Sequence, residues 1–259
     1  MMKATTTIFL CFLMLAGKLT LGQNTHFATD GVVEYDKTIN MYALIKKNID
    51  KDNESWYAPL FEQYKKTQPQ FKTYKSTLTF SKDKTLFTPI EPDPAPNSFY
   101  SNDPMAVQNN TIFTDLASQS VIMQKKVFDE LFLVRDTTRK IKWKITTETR
   151  DVAGYKCRRA NAIVMDSIYV VAFYTDEIAV TGGPESFSGL PGMILGVALP
   201  HENVTWFASK VTESVVTAKA LAPPTKGKAT NNKGLMDILK GATKDWGDYA
   251  KSYLKAFSL

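Results

Sequence analysis

The feature that most constrains this chain is two-residue alternation. In "KIKWKI", residues 140–145, Ile141, Trp143 and Ile145 fall on one side and three lysines on the other, the signature of a half-buried strand. The same rhythm recurs. "STLTFS" and "DKTLFTP" predict a hairpin turning at Lys82-Asp83, and "SQSVIMQKKVF", "DELFLVRD" and "TRKIKWKI" predict a meander with short polar breaks. "SIYVVAFY", residues 167–174, is apolar on both faces and belongs in the middle of a sheet. "GMILGVAL" and "NVTWFASKV" add two strands joined near Pro200-His201-Glu202, with Val204, Trp206 and Ala208 facing inward. Many short antiparallel strands predict a mainly β fold: a strongly curved sheet, a sandwich or an open barrel.

Two stretches break the rhythm. Residues 91–106, "EPDPAPNSFYSNDPMA", hold too much proline, asparagine and serine to pair in a sheet and read as a long surface loop. "APPTKGKATNNKG", residues 222–234, reads as a flexible linker. Beyond it, residues 235–259 show helical spacing at Leu235, Ile238 and Leu239, then at Trp246, Tyr249, Tyr253 and Leu254. Gly241 and Gly247 lower its helix propensity. This tail is expected to dock on the sheet or on a partner. Residues 23–221 form the β domain in this reading.

The first 22 residues have the order of a secretory signal: Met1-Met2-Lys3, an apolar core from Ile8 to Ala16, then Gly17 and Gly22, with cleavage expected before Gln23. The core is too short to span a bilayer, and no later apolar stretch approaches about 20 residues, so no transmembrane segment is expected. Cys11 lacks the small residue that precedes a lipoprotein cysteine. The expectation is an exported protein of the periplasm or cell envelope, or a secreted one. Cys157 is then the one mature cysteine, which rules out an internal disulfide, and stability must come from a hydrophobic core. A net charge of +6 without a basic block argues against nucleic acid as a partner.

"GGPESFSGLPGMIL", residues 182–195, carries the densest motif. Together with "KWKI", "AGYKCRRA" and "AFYTDEI" it resembles the GLPGLI family of exported Bacteroidetes proteins, whose name-giving hexapeptide stands here as Gly189-Leu190-Pro191-Gly192-Met193-Ile194. Met193 replaces the usual leucine, and Gly196 stands where an acidic residue is common. The resemblance covers roughly residues 140–210. It implies a β-rich exported protein of unknown activity, often from organisms with outer-membrane import receptors. It also implies a fold-level likeness to open β-barrel lipoprotein carriers, which does not establish function.

Chemistry is sparse. Lys156, Arg158 and Arg159 surround Cys157, but in a strand they face away from it, so a buried small hydrophobe is the expected role. His201 could join Cys157 or a metal site, yet two histidines and one mature thiol show no ligand spacing, and a solvated turn is expected. Met105, Met123, Met165 and Met193 read as core fillers rather than soft metal ligands. Asp166, Asp176, Glu177 and Glu185 cluster in sequence, and Asp176-Glu177 reads as a turn. No cofactor and no metal is implied. The glycine-proline turns read first as a rigid bend, and second as the rim of a cavity. That rim would comprise Tyr174, Gly183, Pro184, Phe187, Gly189, Leu190, Pro191, Gly192 and Met193. The expected function is non-catalytic binding of an apolar ligand or lipid, a peptide, or a partner such as an outer-membrane import receptor. A hydrolase or metal-dependent envelope enzyme is the alternative.

Overall fold

A computed structural model describes residues 27–91, 103–247 and 249–259. The signal-like segment lies outside them. Among the described residues, twelve strands form one mixed, open sheet. Strand β1 (Asp30–Asn40) runs through its middle, with Val33, Tyr35, Lys37 and Ile39 on the buried face. Asn40 ends the strand and caps helix α1 (Met41–Lys47), its side chain accepting from the Ala43 amide at 3.1 Å. Helix α2 (Glu54–Thr67) follows. Neither helix is announced by the alternation that marks the rest of the chain.

From β1 the chain meanders outward through β2 (Phe71–Ser81), β3 (Lys84–Pro89), β4 (Asn110–Asp115), β5 (Ser120–Val127) and β6 (Glu130–Thr137). The first hairpin turns at Lys82-Asp83 as predicted, pairing Ser81 with Lys84. Only residues 103–106 of the expected 91–106 loop are described together with Glu91; Pro104–Val107 form a short helix, α3, capped by Asp103.

The chain then does something alternation cannot reveal. Strand β7 (Lys144–Val152) does not pair with β6; it lies at the opposite end of the sheet. From there β8 (Tyr155–Val164), β9 (Ile168–Thr175), β10 (Met193–Leu199) and β11 (Val204–Glu213) meander back until β11 pairs with β1. Residues 138–143 carry the chain from one end to the other. They span at most about 25 Å, whereas ten strand spacings in a flat sheet need about 48 Å. The sheet must therefore curl until its ends approach, an open barrel with its slit between β6 and β7. The prediction that "KIKWKI" is a strand throughout is corrected here: only Lys144 and Ile145 enter β7. Ile141 and Trp143 still turn to the protein, because they pack on the core as the chain crosses the slit.

Strand β9 is buried on nearly every residue, as its composition requires, but it is third from the β7 edge of the sheet and not in its middle. The tail closes the structure. Within 222–234, Lys228–Thr230 form β12, a parallel addition to β6 that covers its free edge. Helices α4 (Asn232–Ala242) and α5 (Tyr249–Ser258) complete the chain, and α5 buries Ala256, Phe257 and Leu259 against the barrel. Among the described residues no helix is long and apolar enough to cross a membrane.

Candidate functional site

The loop between β9 and β10 packs against β3, β10 and β11. A Cβ on Gly182 would meet Thr85 of β3 at 2.7 Å, and one on Gly183 would meet Ile194 and the Phe187 carbonyl, both at 2.8 Å. Phe187 lies 6.4 Å from Trp206 of β11, ring to ring. Tyr174, Gly183, Pro184, Phe187, Leu190, Gly192 and Met193 are all buried; only Gly189 and Pro191 are exposed. The backbone explains the glycines. Gly192 has φ +139°, and a Cβ there would sit 2.0 Å from the Thr175 carbonyl oxygen; Gly189 has φ +90°. Bonds that hold the bend include Ile194 N–H to the Gly182 carbonyl at 2.8 Å, Met193 N–H to the Ile178 carbonyl at 3.2 Å, Gly189 N–H to the Thr181 carbonyl at 3.2 Å, Trp143 Nε1 to the Ser188 carbonyl at 2.9 Å, and the Tyr35 hydroxyl to the Ile194 carbonyl at 2.5 Å. The motif thus ties β1, the slit-crossing segment and β10 together.

The other sequence candidates separate. Cys157 is buried in β8 and burial pushes its thiol up to about 12, so it is neither ionised nor accessible. His201 is exposed in a short helical turn beside Tyr169. Its neighbour Glu202 is not a solvated turn residue: it is buried and bonded to Lys47 at 2.6 Å and Lys255 at 3.0 Å. Burial pushes its pKa up, and the hydrogen bonds and charges of the two lysines outweigh that and hold it below the usual carboxylate value. Asp166, Asp176 and Glu177 are exposed. Among the described residues no three His, Cys, Asp or Glu side chains gather in a set able to hold a metal ion.

Glu185 alone of the four clustered carboxylates is buried, and it enters a polar pocket that the sequence reading missed. Lys37, Asn110 and Lys125 occupy inward positions of β1, β4 and β5, in phase with apolar neighbours. Lys37 and Glu185 are each 7% exposed and Lys125 2%. Asn110 Nδ2 donates to Glu185 Oε2 at 2.9 Å, and Gln108 Nε2 donates to Asn110 Oδ1 at 2.9 Å. Lys37 lies 5.4 Å from the Trp206 ring centre and 3.5 Å from the Gln108 carbonyl. Lys125 donates to the Phe257 carbonyl at 3.1 Å. Burial brings both ammonium groups down to about 8, against the pull of Glu185, and raises the Glu185 carboxyl, against the pull of Lys37. Ala256 of α5 and Leu259 after it line, with Lys37, Gln108, Asn110 and Glu185, a space of about 10 Å³.

On the outer side of α5 lies an open groove of about 810 Å³. Phe128, Leu131, Trp246, Tyr253 and Phe257 line it, with Pro89, Pro104 and Val107, and Lys126, Asp129 and Glu91 add charge. Phe128 is the hub: its ring centre is 5.6 Å from Trp246, 6.3 Å from Tyr253 and 5.4 Å from Phe257. It sits at the tip of the β5–β6 hairpin with φ +53°, a conformation that a bulky residue adopts at a cost and that hairpins usually give to glycine or asparagine. Phe128 and Trp246 are nevertheless each 40% exposed. The sequence offered two signals: an aromatic residue in a two-residue turn, and the helical spacing of the tail aromatics.

Over residues 162–196 the chain matches a family model described as "Protein of unknown function (Porph_ging)". That stretch runs from β8 through the glycine-proline motif. A comparison with curated proteins finds no match. Among solved structures, PNGF-II is similar in two crystal forms. The P21 form has 16% identity and a TM-score of 0.50 over 82% of this chain, and the C2 form 14% and 0.51 over the same share. The chain spans about a third of PNGF-II, 33% and 32% of its length in the two forms. At this identity the likeness supports a mainly β fold and nothing about activity.

Proposed function

We propose that the protein is a non-catalytic binding protein of the cell envelope, exported through its signal-like N-terminal segment, and that it takes an apolar ligand or acyl chain in the aromatic groove between the β5–β6 hairpin and the tail. The observation that carries this reading is Phe128. A bulky ring is held in a left-handed turn conformation, half-exposed, at the centre of three converging aromatic side chains. Strained backbone and exposed contiguous aromatic surface both concentrate where proteins bind. A volume of about 810 Å³ falls in the range of small-molecule sites. The glycine-proline motif supports the site from a distance by shaping the barrel that α5 docks on.

Titration with the neutral fluorophore N-phenyl-1-naphthylamine tests it. Saturable binding is expected, weakened about tenfold or more by Leu131→Glu, which buries a charge in the groove when ligand binds, at an unchanged melting temperature. Absence of saturable binding, or binding indifferent to Leu131→Glu, overturns the reading.

A further inference from the structure

Helix α5 stands between two spaces. The aromatic groove lies on one side; on the other is an open cavity of about 210 Å³, with Lys47, Asn48, Asp50 and Glu202 on one wall and the first two turns of α5 on the other. Glu202 is the anchor of this cavity. Its side chain is 6% exposed, and each of its oxygens takes a lysine from a different element: Oε2 takes Lys47 of α1 at 2.6 Å, and Oε1 takes Lys255 of α5 at 3.0 Å. One buried carboxylate thus fixes two ammonium groups beside each other at the edge of an open space, where their side chains stay 45% and 31% exposed. An ammonium group carries three hydrogens. Lys47 spends two, on Glu202 and on the His201 carbonyl at 2.9 Å, and Lys255 spends one. Among the described residues this leaves one N–H on Lys47 and two on Lys255 without an acceptor. The other carboxylate of the cavity turns to the chain instead: Asp50 Oδ1 accepts from the Asp52 and Asn53 amides at 2.9 and 3.1 Å.

We propose that Lys47 and Lys255, held in place by Glu202, form a site for a phosphoryl group, either free phosphate or the head of a phosphomonoester. Both ammonium groups are bound to one carboxylate, so a single oxyanion reaches both. A phosphoryl group brings three strong acceptor oxygens and nearly two negative charges, which suits several spare donors arriving from two elements better than the two oxygens of a carboxylate do. Charge-assisted bonds of this kind are the strong ones. The size agrees: about 210 Å³ holds about seven waters at roughly 30 Å³ each, room for a phosphoryl group with part of its hydration and little more. The first turn of α5 adds favourable potential at the same wall, although the lysine pair and the cavity carry the inference. Glu202 cancels one of the two lysine charges, so the affinity is modest. The site is separate from the aromatic groove, and neither reading depends on the other.

Calorimetric titration of the full chain with inorganic phosphate, glycerol phosphate and acetate, near neutral pH and at fixed ionic strength, tests it. Wild-type protein is expected to bind phosphate or glycerol phosphate saturably, with a Kd on the order of 1 mM, and about tenfold or more tighter than acetate. The tighter of the two phosphates identifies the source of the group. Lys47→Gln and Lys255→Gln should each weaken that binding about tenfold. Each leaves Glu202 with one lysine, so neither strands a buried charge. Lys84→Gln removes the same charge at the opposite end of β1 from α1 and should leave the affinity within about twofold. Hydrogen exchange needs no substitution: in the wild type, phosphate should slow exchange at residues 249–255, and chloride at the same ionic strength should not. Absence of saturable binding by both phosphates, acetate binding as tight as phosphate, equal losses in all three variants, or exchange at 249–255 indifferent to phosphate overturns the site.

Discussion

The β9–β10 loop and the tail helix both pack against the same sheet, yet they are built on opposite terms. The loop is held by backbone geometry. Gly182, Gly183 and Gly192 stand where a Cβ would collide with Thr85, with Ile194 and the Phe187 carbonyl, or with the Thr175 backbone, and the loop's hydrogen bonds include several to backbone carbonyls. The tail is held by side chains, a cluster of aromatic rings on one side and charged donors at its end. A loop that cannot move without steric penalty is scaffold. The tail instead depends on its side chains, and it leaves Phe128 and Trp246 half-exposed beside it. The dense sequence motif therefore marks a tightly packed region, and the binding we propose lies in the region without one.

The largest effect that can break this contrast is Gly192→Ala. A left-handed φ and a 2.0 Å approach to Thr175 predict a loss of about 3–5 kcal/mol in chemical denaturation. Gly189→Ala, with φ +90° but its nearest atom at 4.0 Å, should cost only about 1–2 kcal/mol. Equal costs would mean that collision is not what fixes the motif. Phe257→Ala is next, at about 3 kcal/mol of tail docking from the buried ring. Its signature is regional: amides of α5 exchange faster, while those of β9 and β10 keep their protection.

Lys37 sharpens the contrast through pH. An unfolded lysine titrates near 10.4, and burial brings Lys37 to about 8. Below pH 8 both states carry the proton and the folded state bears the full burial cost. Between about 8 and 10.4 only the unfolded chain holds it, so stability rises with pH. Wild type should gain on the order of 1–3 kcal/mol relative to Lys37→Met across that window. A difference that is flat, or that falls, contradicts the buried, unpaired ammonium. The smallest effect is Trp143→Phe, which removes the bond to Ser188 and should cost about 1 kcal/mol without altering groove binding.

Alternation made the strands legible because burial on one face leaves a mark on every second residue. It says which face a strand shows and nothing about which strand lies beside it. That is why the β5–β6 hairpin could be read while the passage of residues 138–143 from one end of the sheet to the other could not. Helices α1 and α2 went unread for lack of a continuous apolar stripe; α2 carries Pro59 inside it and leaves Trp56 79% exposed. The polar pocket did leave a trace. Lys37 interrupts Val33-Tyr35-Ile39, and Lys125 interrupts Val121-Met123-Val127, each at an inward position. Only the fold brings those two interruptions, Glu185 and the end of α5 to one place, since β1, β5, the motif loop and the tail are distant in sequence.

Hydrogen–deuterium exchange with and without saturating decanol tests the central claim most directly. The account predicts new protection at residues 128–131 and 249–257, on the hairpin tip and α5, and none at residues 182–195. Protection confined to 182–195, with the hairpin and tail unchanged, would contradict it and return binding to the glycine-proline motif.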